Sequence, residues 1–140
     1  MRVVLDTNGI ISALFWGGAP RKVMDLAHQG IITLYTSTEL LIELADVLSR
    51  DKWIGQLESK RLTPTDIIER YSALTRTINA AALAFQVSRD IDDDAVLACA
   101  IAAQAHLIIS GDKDLLVLHP WRGIDILNPA DALQRILASS

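Results

Sequence analysis

The sequence contains a single cysteine, Cys99, among its 140 residues. A lone cysteine excludes an internal disulfide framework and is typical of a reducing compartment, so we expect a cytoplasmic location. Because Cys99 lies in an alanine-rich apolar run, we interpret it as a packing residue rather than as a reactive thiol.

Long apolar segments are also missing. The longest, from Ala95 to Ile109, is interrupted by Gln104 and His106 and is too short to span a bilayer. The chain enters its first apolar run, Val3–Leu5, without the charged region of a signal peptide. We therefore expect a soluble protein with no membrane partner.

An excess of positive charge is absent as well, since the net charge is −4 and the isoelectric point is near 5.2. This balance argues against a protein that coats nucleic acid by neutralising phosphates alone. It leaves room for an acidic site whose charge is reversed locally by bound cations.

What the sequence does contain is enough apolar material, 51%, for one folded domain spanning residues 1–140. Short apolar runs separated by helical segments indicate buried parallel strands. We predict strands at Val3–Leu5, Thr33–Tyr35, Leu107–Ile109 and Asp125–Leu127.

Helix boundaries are marked by their capping residues. Pro20 begins and Gly30 ends one predicted helix, and further helices begin at Thr63, at Asn128 and near Asp93. Another is predicted from Thr38 to Leu48, whereas the segment 80–87 fits either a helix extension or a short strand. The order β-α-β-α-α-α-β-β-α predicts an α/β fold with three α/β/α layers and a Rossmann-like parallel sheet of four to five strands.

Acidic residues follow two of the predicted strands directly. Asp6 follows the first, and Asp112 and Asp114 follow Leu107–Ile109. Functional groups in open parallel sheets gather just past the carboxyl ends of the strands, although an Asp in such a place can also simply cap the next helix.

Two helices add further acids. Glu39, Glu43 and Asp46 are spaced to form one stripe on the Thr38–Leu48 helix, and four acids crowd the segment 90–94 before an apolar helix. Such acids can be a solvated face or helix-dipole partners, but four in five residues exceed what capping requires.

A cluster of carboxylates is unfavourable unless protons or cations neutralise it, because each like-charge pair near 4 Å costs about 1–4 kcal/mol. Hard divalent ions prefer such oxygen ligands, and His28, His106 and His119 lack the spacing of a zinc site. We therefore expect one or two Mg²⁺ or Mn²⁺ ions. The sequence has no glycine-rich phosphate loop, so a phosphodiester is a more suitable substrate than a nucleoside triphosphate.

Four segments together resemble the PIN-domain nucleases, in particular their toxin-like branch from toxin–antitoxin pairs. They are residues 3–8 (VVLDTN), 37–44 (STELLIEL), 90–97 (DIDDDAVL) and 109–115 (ISGDKDL), in this order and covering nearly the whole chain. The resemblance implies a PIN-like fold, metal-dependent hydrolysis of RNA, and the catalytic, metal-binding acids Asp6, Glu43, Asp93 and Asp112.

The resemblance also implies supporting positions. Ser110 stands where the family has a Thr or Ser that orients an acid, and Asn8 where it has a polar residue beside the first Asp. Asp90 and Asp94 are alternatives to Asp93 as the third acid, because Ile91 replaces a common proline there, and Asp114 is a further supporting acid. Candidates for phosphate contact are Arg21, Lys22, Arg50 and Lys113, although solvated surface is the more common explanation for each of them.

Other classes fit the sequence less well. A receiver-like signalling module would have its phosphoacceptor after a mid-chain strand rather than at Asp6. A haloacid-type phosphatase would need a second Asp where the chain has Asn8. A catalytically inactive PIN fold that serves as an interaction module stays open as an alternative.

The Thr38–Leu48 helix carries more apolar residues than one buried face requires, which indicates either an interface or a central helix packed on both sides. We predict a homodimer that can bind an inhibitory antitoxin, in line with the toxin-like relatives. Trp16 and Trp53 are candidates for added contact area there, or for burial in the core.

Overall fold

The computed structural model describes residues 1–139 and contains a five-stranded parallel sheet. The strands are β1 (Arg2–Leu5), β2 (Thr33–Ser37), β3 (Arg76–Ile78), β4 (Leu107–Ile109) and β5 (Asp125–Leu127), in the spatial order β3-β2-β1-β4-β5. The four predicted strands and the predicted α/β class are confirmed. β3 was not predicted because two of its three residues are exposed and its sequence, Arg-Thr-Ile, is not an apolar run.

Eight α-helices connect and cover the strands within residues 1–139. Five correspond to predicted helices: α2 (Gly18–His28), α3 (Thr38–Leu48), α5 (Pro64–Leu74), α6 (Asp94–Ala103) and α8 (Pro129–Ser139). The sequence analysis did not predict α1 (Thr7–Phe15), α4 (Asp51–Ser59) or α7 (Lys113–Leu116). The segment 80–87 is neither a helix extension nor a strand, since it forms an irregular connection to a 3₁₀ turn at Ile91–Asp93.

Helix caps match the sequence signals where their chemistry is strongest. At the start of α5, the Thr63 side chain accepts from the Asp66 N–H at 3.1 Å and the Asp66 carboxylate accepts from the Thr63 N–H at 2.9 Å. This reciprocal capping box satisfies two backbone donors that a helix would otherwise leave unpaired.

Alternating strand residues form two cores, one on each face of the sheet. Val3 and Leu5 pack with the first core, which includes side chains from α1, α2, α3, α4, α5 and α8. Val4 and Ile108 pack with the second, which is formed mainly by α6, α7 and β5. This arrangement confirms the three-layer architecture and leaves the carboxyl ends of β1 and β4 side by side.

The apolar helix α3 is central in this arrangement and contacts β2 and helices α1, α4, α5 and α6. Leu40, Leu44 and Leu48 are buried, whereas Ile42 is 65% exposed. Most of its apolar surface is therefore used within the chain. No helix within residues 1–139 combines the length and the apolar character needed to cross a membrane.

Candidate functional site

Asp6 lies at the point where β1 ends and α1 begins. Its backbone N–H donates to the Ile109 carbonyl at 3.1 Å, which extends the β1–β4 pairing by one residue. Its side chain accepts from the Gly9 N–H at 2.8 Å and caps α1. The carboxylate is only 5% exposed, so the sheet and the helix together fix its position.

Gly9 allows this close approach between α1 and the end of β1. A Cβ atom at this position would lie 2.6 Å from Leu5 Cδ1 and 3.0 Å from Asp6 Oδ1. A glycine costs helix stability through backbone entropy, but here its missing side chain leaves space for the Asp6 carboxylate.

Ser110 links the acids that follow β1 and β4. Its buried hydroxyl donates to Asp6 Oδ2 at 2.5 Å and accepts from the Asp112 N–H at 3.0 Å. The Asp112 carboxylate in turn accepts from the Asp114 N–H at 2.8 Å and caps α7. One serine thus orients one acid and the backbone of another.

The segment before α6 brings a second group of acids to the same edge. Carboxylate oxygens of Asp90, Asp93 and Asp112 all lie within 4.8 Å of one another. The buried Ser88 hydroxyl donates to Asp93 at 3.3 Å and accepts from the Asp90 N–H at 3.3 Å. The structure therefore brings together residues that are about twenty positions apart in the sequence.

Asp94 and Asp114 have different surroundings from these three. The Asp94 carboxylate accepts from the backbone N–H groups of Val87, at 3.0 Å, and Ser88, at 2.8 Å. It thereby anchors the irregular segment against the start of α6. Asp114 approaches the cluster through its backbone carbonyl, which lies 3.5 Å from the Ser88 hydroxyl oxygen as a second and more distant acceptor for the proton that Asp93 accepts.

Glu43 faces the cluster from α3, across a cavity of about 360 Å³. Burial raises the pKa of Glu43, the neighbouring Thr7 hydroxyl lowers it, and the charges of Asp92, Asp6 and Asp90 raise it. Eight of the residues that line the cavity are polar or charged: Asp6, Thr7, Asn8, Glu43, Arg50, Lys52, Asp92 and Asp93.

The electrostatics of the cluster favour a bound proton or cation. Burial raises the pKa of Asp6, although the Ser110 and Gly9 hydrogen bonds oppose the shift. The pKa of Asp93 rises to about 8, mainly because of burial and secondarily because of its contact with Asp112. A set of three converging carboxylates, one of which resists ionisation, fits a hard divalent cation that prefers oxygen ligands.

Positive charge lies on one wall of the cavity. Of the four basic candidates from the sequence, Arg50 lines it and forms an exposed ion pair with Asp46 at 3.0 Å. Arg21, Lys22 and Lys113 are exposed and lie outside its lining.

Sequence reasoning missed Ser88, Thr7, Asp92, Lys52 and Trp53 as site residues. Ser88 lies in an irregular segment where no periodic pattern distinguishes it. Thr7 lies within the first motif, between Asp6 and Asn8, and this position was the one available signal. Lys52 and Trp53 belong to α4, which the sequence analysis did not predict.

Comparisons with known proteins agree with this fold. A family model for the PIN domain matches residues 2–114. The uncharacterized protein MJ1680 of Methanocaldococcus jannaschii is 38% identical over 122 residues, which cover 84% of this chain and 75% of that protein.

A solved structure has a similar fold. It is a chain from the crystal structure of VapBC2 from Rickettsia felis bound to a DNA fragment from their promoter. It superimposes with a TM-score of 0.61 at 15% identity, over 91% of this chain and 98% of that chain. At this identity the likeness concerns the fold, whereas the family model spans four of the five strands and every acid of the site. The chain belongs to the PIN domain family.

Proposed function

We propose that this protein is a ribonuclease that hydrolyses RNA phosphodiester bonds with the help of Mg²⁺ or Mn²⁺. The observation that supports this best is the convergence of Asp90, Asp93 and Asp112 within 4.8 Å. Nuclease activity is also what the resemblance of the four acidic segments to PIN-domain nucleases implies. A purely structural cluster would not need so many acids in contact, since their repulsion destabilises the fold.

Asp6, Glu43, Asp93 and Asp112 are the proposed catalytic and metal-binding residues. Asp93 and Asp112 would hold one ion together with Asp90, while Asp6 and Glu43 border the adjoining cavity. A bound divalent ion supplies activation of water and neutralisation of the charge on the leaving oxygen.

The remaining polar residues would position these acids and the substrate. Ser110 and Ser88 hold Asp6 and Asp93 by hydrogen bonds, and Asp94 fixes the segment that carries Ser88. Asn8 lies on the cavity lining, where it can contact a phosphate or a ribose. Asp114 would act indirectly, through its contact with Ser88.

A role as the toxin of a toxin–antitoxin pair is part of the same proposal. It is supported by the toxin-like motifs and by the fold shared with a chain of the Rickettsia felis VapBC2 complex. A cytoplasmic location, where RNA is accessible and the thiol of Cys99 stays reduced, also belongs to it.

Cleavage of a labelled single-stranded RNA, with and without added metal, tests the nuclease. We expect cleavage with Mg²⁺ or Mn²⁺ and none in excess chelator, with activity restored when the metal is returned. Asp25→Asn, which removes an exposed charge on α2, serves as the control and should cleave normally. Full activity in chelator would contradict the metal dependence, and no cleavage under any metal condition would favour an inactive interaction module.

The homodimer is a separate expectation, supported by the exposed Ile42 on α3. Light scattering at micromolar concentration should give twice the chain mass of 15.3 kDa. Ile42→Ser should shift the population towards the monomer, because exposed apolar side chains stabilise interfaces. A monomer mass that does not change with concentration would rule out the dimer.

A further inference from the structure

Three aromatic rings form a cluster at the end of α1 and the beginning of α4. Phe15 and Trp53 are stacked with their ring centroids 4.9 Å apart, and Trp16 meets Trp53 edge-on at 5.3 Å. Trp53 is buried, with 8% of its surface exposed, whereas Trp16 is 65% exposed. We call Phe15, Trp16 and Trp53 the aromatic wall.

The aromatic wall is continuous with the candidate active site. Trp53 lines the same cavity as Asp6, Glu43 and Asp93. Asp6 caps the N-terminus of α1 and Trp16 caps its C-terminus, so their backbones are about 15 Å apart at 1.5 Å per helical residue. This separation is within reach of a few nucleotides of an extended strand.

Basic side chains, which can contact the phosphates of a nucleic-acid strand, lie near the aromatic wall. The Lys52 ammonium lies 4.8 Å from the centre of the Trp53 ring, and both Lys52 and Arg50 line the cavity. Arg21 is also nearby, since a Cβ atom added at Gly17, the residue after Trp16, would lie 4.0 Å from Arg21 Cδ. Three basic residues therefore lie near the aromatic wall in a protein whose net charge is −4.

The local backbone holds Trp16 at the surface. Its N–H donates to the Ser12 carbonyl at 2.9 Å and ends α1, and the next two residues, Gly17 and Gly18, have positive φ angles of 78° and 66°. Such angles are accessible to glycine at little cost. The chain therefore changes direction immediately after Trp16, and 65% of the Trp16 surface stays exposed beside the Trp53 ring.

We propose that Trp16 is a stacking platform for an unpaired RNA base next to the cleaved phosphodiester, with Lys52, Arg50 and Arg21 contacting the flanking phosphates. The inference rests on the proposed nuclease function and adds to it a residue that recognises single-stranded substrate. Aromatic side chains next to cations bind unpaired bases in many proteins, whereas bases in a duplex are not available for such stacking.

The binding of a fluorescein-labelled oligouridine tests the platform. Anisotropy is measured with Mg²⁺ in proteins that also carry Asp6→Asn, which we expect to suppress cleavage of the probe. We expect Trp16→Ala to weaken binding about fivefold to a hundredfold, the range of one base–aromatic stack. Trp16→Phe should retain most of the affinity because it keeps a ring. Phe85→Ala, which removes an 83% exposed aromatic that lines a different cavity, should bind like the parent.

A strand with abasic positions separates base stacking from phosphate contact. The affinity of the parent for the abasic strand should be about as low as the affinity of Trp16→Ala for the intact strand. The affinity of Trp16→Ala should fall little further when the abasic strand replaces the intact one. Equal affinities of Trp16→Ala and the parent for the intact strand would overturn the proposal. So would a change of oligomeric mass in Trp16→Ala with unchanged RNA affinity, which would assign the ring to a protein interface.

Kinetics of the otherwise unchanged protein give an independent readout. Trp16→Ala should raise the KM for RNA and leave kcat nearly unchanged, because the ring does not touch the reacting atoms. A protein that binds RNA through Trp16 and cleaves nothing would refute the nuclease while leaving the platform intact. A fall in kcat alone, at constant KM, would refute the platform.

Discussion

The two halves of the acidic site are built in different ways. Asp6, Ser110 and Asp112 follow strands β1 and β4 and are held by the register of the sheet. Asp90 and Asp93 lie in and beside a 3₁₀ turn at the end of the irregular segment that follows β3, and they depend on Ser88 and Asp94 for their position. The first half inherits the rigidity of the core, whereas the second depends on a few side-chain hydrogen bonds.

This difference suggests a division of roles between the halves. A strand-borne carboxylate keeps its position with or without a metal, since the pairing of β1 with β4 does not depend on the site. Asp90 is exposed and Asp93 is buried, and both lie close to Asp112 without the support of a strand, so their arrangement should depend more strongly on a bound cation.

Removal of the charge at the strand-borne position should have the largest effect. We expect Asp6→Asn to lower RNA cleavage by more than about a hundredfold, because charge stabilisation by a correctly held metal contributes several kcal/mol. The metal-free variant should be as stable as the parent or more stable. Asn can still accept from the Gly9 N–H, and one repulsive charge is lost.

Cleavage rates and thermal unfolding without metal measure both effects, with Asp25→Asn as the control. A large loss of melting temperature in metal-free Asp6→Asn would show that this carboxylate is mainly structural, as the cap of α1.

The two serines give a matched pair for the two halves. Removal of a residue that orients a metal ligand commonly costs about tenfold to a hundredfold in metal affinity or activity. We expect Ser110→Ala to lose cleavage within this range at saturating Mg²⁺, because it frees Asp6 and the Asp112 N–H. Ser88→Ala should instead mainly raise the Mg²⁺ concentration needed for half-maximal activity, since the cation can still gather Asp90 and Asp93.

Titration of cleavage against Mg²⁺ for both variants measures this difference. Ser110→Thr, which keeps the hydroxyl, serves as the conservative control. If the two alanine variants had the same metal dependence and the same maximal rate, the two halves would not differ in the way their construction suggests.

The smallest expected effect is the pH dependence of stability in the absence of metal. The pKa of Asp93 is raised to about 8 by burial and by Asp112, so the folded state binds a proton more tightly than the unfolded chain, where the value is near 3.8. The resulting stabilisation is complete below pH 4 and is lost as the pH rises through about 8.

Urea unfolding with chelator should therefore give a lower free energy of unfolding at pH 9 than at pH 5. Asp93→Asn, which cannot ionise, should reduce this difference, and Mg²⁺ should also reduce it by replacing the proton. An unchanged pH profile in Asp93→Asn would show that other groups cause the dependence.

Much of the fold follows from local patterns in the sequence. Runs of three residues predicted four strands, and residues such as Thr63 and Asp66 marked a helix start through contacts three positions apart. The missed helix α1 begins with Thr-Asn-Gly, which local propensity disfavours. It forms because Asp6 caps it and because Gly9 fits against Leu5, two facts of packing that the sequence pattern does not display.

The sequence by itself determined which residues cap helices, which form the strands, and which acidic residues follow the strands. It therefore determined the class of fold and the types of side chain at the sheet edge. Only the tertiary structure decided which acids meet. Asp90, Asp93 and Asp112 converge, whereas Asp94 is used to hold a loop. It also decided that Trp53 is buried while Trp16 is exposed. The physical reason is that helix caps and strand patterns depend on neighbours a few residues apart, while a site depends on contacts between segments that only the packed sheet brings together.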